Sequence, residues 1–187
     1  NYDYAATYVI IQDNMGACGT IEPGATPDNM VAGAIVNANG ENVQSVSIAV
    51  NGAEQKAMTT AEDGHYMFML ENGGDYTVTP EKDMNPLNGV TTFDLVTMRK
   101  HILGVQTLDS PYKLIAADIN NSGNVTALDM IALRRLILHI DETITNNTSW
   151  RFVEAEYVFP DATNPFATTF PEVSNFNGIT QSQIADF

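Results

Sequence analysis

Residues 118–129 read DINNSGNVTALD, with oxygen-bearing side chains at alternate positions before a glycine and a carboxylate at the twelfth. That pattern suits a hard cation. Ca2+ takes six to eight oxygen ligands, and a twelve-residue loop can supply them from positions 1, 3, 5, 7, 9 and 12. Here these are Asp118, Asn120, Ser122, the backbone carbonyl of Asn124, Thr126 through water, and Asp129. Gly123 falls at the sixth position, where the turn needs a residue that tolerates unusual dihedrals. Asp129 replaces the usual Glu and is one methylene shorter, so the helix behind it must sit closer to the ion. A polar turn capping a helix would use some of the same residue types. The match at six fixed offsets favours calcium.

A related segment lies 35 residues upstream. VTTFDLVTMRKHILGV at 90–105 aligns with VTALDMIALRRLILHI at 125–140, repeating Val, Thr, Asp, Arg, Ile and Leu at matching places. Leu95, Met98 and Ile102 in one copy, and Met130, Leu133 and Ile137 in the other, recur at helical spacing. An internal repeat of loop plus helix is expected. Counted back from Asp94, the first loop is DMNPLNGVTTFD, with Asp83 and Asn85 at positions 1 and 3. Position 5 is Leu87, which has no side-chain oxygen, and Asn88 and Gly89 are displaced by one. Either Asn88 compensates as a ligand, or packing alone holds this loop.

Two short loops ending in Asp, each running into a DLxxLRRxIL-like helix, resemble a dockerin module over about residues 80–142. SPYKLIAADIN is similar to the helix that leads into the second dockerin loop. The resemblance implies Ca2+ in each loop and paired helices that dock on a cohesin-like domain of another protein.

Elements of a different kind must carry this pair. Between about 30 and 80 the chain alternates short apolar runs with turns: VAGAIV, an Asn-Gly turn, VSIAV, KAMTT, an Asp-Gly hairpin signal, YMFML and GGDYTVTP. Val46, Ile48 and Val50, then Tyr66, Phe68 and Leu70, form inward faces of an antiparallel sandwich. The order is similar to the carboxypeptidase-regulatory-like and collagen-adhesin B-type repeats, small immunoglobulin-like or transthyretin-like sandwiches that serve as spacers. The whole resembles large secreted surface proteins of the Bacteroidetes. The fold class is mixed: an immunoglobulin-like or transthyretin-like β-sandwich, a small α-helical dockerin-like calcium domain, and further β segments at both ends. The divisions are 1–28, an N-terminal strand and linker able to act as a donor strand; 29–81, the sandwich; 82–142, the paired calcium loops and helices; and 143–187, a C-terminal β segment with a strand at RFVEAEYVF.

Eight Lys and Arg against 23 Asp and Glu give a net charge of −15, which argues against a nucleic-acid partner. No apolar run is long enough to span a bilayer. Cys18 is alone, so no intramolecular disulfide can form. His65, His101 and His139 are scattered, and no nucleophile elbow or phosphate-cradling glycine loop occurs. The expectation is a non-enzymatic, extracellular, calcium-stabilised stalk or adhesin subunit. Its partners are copies of itself joined head-to-tail into a filament by strand donation. The alternative is a recognition module for a cohesin-like partner. The apolar ends KHILGV and LILHI point to internal packing of the helices and favour the structural reading.

Overall fold

The computed structural model describes residues 29–187. The expected donor strand in residues 1–12 and Cys18 lie outside them.

Five strands form where the alternation places them: β1 (Asn29–Ala34), β2 (Ser47–Gly52), β3 (Lys56–Thr59), β4 (His65–Leu70) and β5 (Tyr76–Glu81). Three helices follow, α1 (Thr92–Ile102), α2 (Pro111–Ala117) and α3 (Ala127–Ile137), then two short strands, β6 (Ser174–Phe176) and β7 (Gln183–Ile184). The strands make two sheets, ordered β4-β1-β7 and β3-β2-β5-β6. Both sheets turn their apolar residues into one core: Val31, Tyr66 and Phe68 from the first, Ile48, Val50 and Val78 from the second. Period-two burial is clearest on β4, where Tyr66, Phe68 and Leu70 are inside and His65, Met67 and Met69 outside.

The Asn-Gly turn forms as its residues dictate. Gly40 takes φ +79°, and Asn37 N–H donates to the Glu41 carbonyl at 2.9 Å. The Asp63-Gly64 pair does not make a hairpin. Gly64 does adopt φ +68°, but the strands on either side pair with different partners, β3 with β2 and β4 with β1. The chain crosses here from one sheet to the other. Thr60 pins the crossing: its buried hydroxyl accepts from Val46 N–H at 3.0 Å and donates to the Val43 carbonyl at 2.9 Å.

The C-terminal part differs from the expectation in one respect. RFVEAEYVF is not a strand, because its side chains are drawn into two separate cores. Phe152 joins the sheet core, whereas Val153 packs with Ile115 and Phe170 in a small cluster beside α2. Its backbone is used in scattered contacts, Glu154 N–H to the Pro171 carbonyl and Ala155 N–H to that of Asp186. The strands come later instead. β6 pairs antiparallel with β5, and β7 lies parallel to β1. The sheet unit is thus built from chain on both sides of the helices. Gly33 permits the second contact: a β-carbon there would lie 2.0 Å from the Ala185 carbonyl oxygen. The Tyr66 hydroxyl donates to that same oxygen. α1 and α3 pack on each other through Met98, Leu133 and Leu136, with Ala117 and Ile119 behind them.

Candidate metal centre

The repeat seen in the sequence is a repeat of local structure. Thr91 and Thr126 are the N-caps of α1 and α3, at φ −137° and −132°. Each hydroxyl accepts from the second backbone N–H beyond it, Phe93 and Leu128, at 3.2 Å. Asp94 and Asp129 close the boxes from the third helical position, accepting from the Thr N–H at 2.7 and 2.8 Å. The last acid of each loop is therefore set by its helix.

From here the copies diverge. In loop 118–129 the first and last carboxylates are inside the protein: Asp118 is 2 % exposed and Asp129 is 0 % exposed. Asp118 Oδ1 accepts from Ser122 N–H at 2.9 Å and the Ser122 hydroxyl at 3.3 Å, and Oδ2 from Gly123 N–H at 2.7 Å. Asp129 Oδ1 accepts from Asn120 N–H at 3.1 Å, tying position 12 back to position 3. The Asn120 amide oxygen accepts from Ser122 N–H at 3.1 Å, and the Ser122 hydroxyl reaches the Asn124 carbonyl at 3.2 Å. Gly123 takes φ +80°, the left-handed turn its position requires. Thr126 is occupied with capping, its hydroxyl donating to Asp129 Oδ2 at 3.1 Å. The fold brings Asp118, Asn120, Ser122, Asn124 and Asp129 into one hydrogen-bonded network.

Neither Asp118 nor Asp129 has a cationic partner among the ion pairs of the described residues. Two buried carboxylates outside any ion pair are costly, since backbone donors offset only part of the lost hydration. Among the described residues no three His, Cys, Asp or Glu side chains converge. Beyond its two carboxylates the loop offers an amide oxygen, a hydroxyl and a carbonyl, which is donor chemistry for a hard, oxygen-seeking cation rather than for a transition metal.

Loop 83–94 is arranged otherwise. Asp83, Asn85 and Asn88 are exposed, and Asp94 is half-buried. Asp83 Oδ1 accepts from Ser149 N–H at 2.9 Å, a residue far along the chain. Asn85 has φ +52°, and its carbonyl accepts from Asn88 N–H at 2.8 Å, so this part of the loop closes as a turn of its own.

Sequence spacing missed two groups. One is a cluster around Arg151. Its guanidinium grips Glu172 through Nε and Nη2, at 2.5 and 2.8 Å, and reaches the Asn121 amide oxygen through Nη1 at 2.9 Å. The Glu172 carboxylate foremost, and more weakly Asp118, raise the Arg151 pKa above its ordinary value. The other group is on the helices. Phe93 and Leu128 are 69 % and 64 % exposed, and Val96, Leu103, Val105, Ile131, Leu138 and Ile140 are exposed as well. These are four pairs at the 35-residue offset, so Leu103 and Val105 of KHILGV and Leu138 and Ile140 of LILHI face solvent, while Leu136 packs inside. The signal was present: these apolar residues repeat but fall outside the spacing of the helix cores.

These features describe a small paired-loop, paired-helix unit beside a two-sheet unit. Residues 82–148 match the model of the dockerin type I domain. No curated protein matches the chain in sequence. Two solved structures share some similarity, both of the C-terminal fragment of pilus adhesin SpaC from Lactobacillus rhamnosus GG, the second soaked with iodide. At 13 % identity and a TM-score of 0.28, the first covers 33 % of this chain and 27 % of that one. The second covers 30 % and 24 % at the same identity and TM-score. The chain thus spans about a quarter of the length of those fragments. Among the described residues no helix is long and apolar enough to cross a membrane.

Proposed function

We propose that the chain is an extracellular, non-enzymatic, calcium-dependent docking module of dockerin type. The observation that carries this reading is the burial of Asp118 and Asp129, at positions 1 and 12 of one loop, with neither in an ion pair among the described residues and Arg151 acting on Asp118 only from a distance. Asp118, Asn120, Ser122, the Asn124 carbonyl and Asp129 would hold Ca2+, with Thr126 reached through water. Loop 83–94 is the weaker site: Asp94 is placed as the twin of Asp129, but Asp83 is turned toward Ser149 and Leu87 offers no oxygen. Calcium would fix the N-terminal ends of α1 and α3, and with them the exposed pairs Phe93/Leu128 and Val96/Ile131 that meet a cohesin-like partner. The two-sheet unit, read as an immunoglobulin-like spacer, would carry the module. Calorimetric titration of the full chain with calcium tests the metal. Asp118→Ala and Asp129→Ala should each abolish the tighter site, and unchanged affinity in both would sink the assignment.

A second reading, a surface-stalk subunit that runs head-to-tail into filaments, is favoured by the sheet edges. β7 and β6 are edge strands of two and three residues, leaving room for a donated strand on either sheet. Such a contact is heterologous and need not close. Sedimentation of the full chain in calcium, with and without residues 1–12, tests it. A full chain that stays monomeric at high concentration refutes strand donation.

A further inference from the structure

The segment between the helices and the last strands touches both loops and both sheets. Asn147 Nδ2 donates to the backbone carbonyls of Asp118 and Ile119, at 3.0 and 3.3 Å, so it grips the first two residues of loop 118–129 from outside. Arg151 Nη1 donates to the side-chain oxygen of Asn121, the fourth loop residue, which is held at φ +55°. The same Nη1 reaches the Asn147 side-chain oxygen at 3.4 Å, linking the two grips. The far side of the guanidinium is held by the chain that leads into β6, two residues ahead of that strand and beside the Ile115 cluster. Glu172 takes it in a two-pronged ion pair, and its Cζ lies 5.4 Å from the centre of the Phe170 ring. Two residues earlier, Ser149 N–H and hydroxyl bond Asp83 Oδ1 and the Met84 carbonyl of the other loop. Phe152, immediately after Arg151, is buried in the sheet core.

Resting on the calcium reading above, we infer that Asn147 and Arg151 form a clasp that couples calcium in loop 118–129 to the junction between the helical unit and the sheets. The coupling follows from what the bonds require. Asn147 and Arg151 can reach Asp118, Ile119 and Asn121 only when the loop holds its tight turn, and calcium would favour that same turn. Whatever binding in the loop gives to the clasp, the clasp must give back to binding. Glu172 makes this workable. It neutralises a guanidinium that would otherwise stand unpaired near a cation site. These are positioning residues: they touch the loop backbone and the Asn121 side chain, not the proposed ligand atoms.

The test is hydrogen exchange on the full chain, with calcium or with EGTA, together with calcium titration of variants. Calcium should slow exchange not only in 118–129 but also in 146–152 and 172–176. Asn147→Ala removes two hydrogen bonds to the loop and should weaken calcium affinity roughly five- to tenfold. Arg151→Lys keeps the charge but loses the fork. It should weaken calcium affinity more than twofold and cut the calcium-dependent protection of 172–176, while saturating calcium still protects 118–129, a pattern that a merely structural role would not give. Protection confined to 118–129, with affinities of both variants within twofold of the parent, overturns the coupling alone. A parent chain that takes up no calcium overturns the metal reading, and the coupling with it.

Discussion

Replacing Asp129 by Ala, and separately its twin Asp94, distinguishes a metal ligand from a helix cap. Both acids close the same box, so both variants lose a cap, about 1 kcal/mol. Asp94 is half-buried and makes no more bonds than that. Asp129 is wholly buried and also accepts from Asn120 N–H. Its removal leaves the Asn120 donor without an acceptor, adding about 1–3 kcal/mol to the cap loss. In EGTA the expected losses are therefore about 1 kcal/mol for Asp94→Ala and about 2–4 kcal/mol for Asp129→Ala. Calcium widens the gap. At about 2 mM free calcium and a dissociation constant of about 10 µM, binding stabilises the parent by roughly 3 kcal/mol. Asp129→Ala forfeits that increment as well, whereas Asp94→Ala keeps it. Urea unfolding of the three proteins with and without EGTA reads all of these terms. If calcium leaves the stability of the parent unchanged, or stabilises the Asp129 variant as much as the parent, Asp129 is a cap and nothing more.

Gly33→Ala puts a β-carbon against the Ala185 carbonyl and should free the final strand from β1, exposing residues after Ile179 to limited proteolysis. Thr60→Val strands the Val46 N–H and Val43 carbonyl in the core and should cost about 2–3 kcal/mol in chemical denaturation. The Tyr66 phenol is held above its ordinary pKa by burial first and by Asp186 second. The unfolded phenol ionises near about 10 and the folded one higher, so its contribution is full below that pH and is lost as pH rises beyond it. Tyr66→Phe should flatten the alkaline limb of a stability-against-pH curve; an unchanged limb would place the effect elsewhere. Phe93→Ser and Leu128→Ser, both at exposed sites, should shift stability by less than about 0.5 kcal/mol while weakening docking of a cohesin-like domain.

Local patterns were legible without coordinates because they depend on neighbours in the chain. The spacing of Asp118, Asn120, Ser122 and Asp129 is the geometry of one short loop. The capping threonines and acids, the 35-residue repeat and the alternation in β2 and β4 are equally local. What the sequence could not settle are choices between distant partners. Asp63-Gly64 turns as its chemistry requires, yet whether the strands beside it pair with each other depends on which sheet offers each one a partner. RFVEAEYVF has the alternation of a strand, but Phe152 and Val153 are claimed by different cores, and a backbone that serves two cores cannot stay in one ladder. Helical spacing marked Met98 and Leu133 as core, but the burial of Leu136 and the exposure of Ile102 were decided by the packing of α1 against α3. Asp83 and Asp118 both stand first in their loops, and their difference comes from Ser149 and Gly123, one distant and one local. Asn147, Arg151 and Glu172 carry no spacing signal at all, because Asn147 and Arg151 meet the loop, and Glu172 meets Arg151, only through contacts between distant parts of the chain.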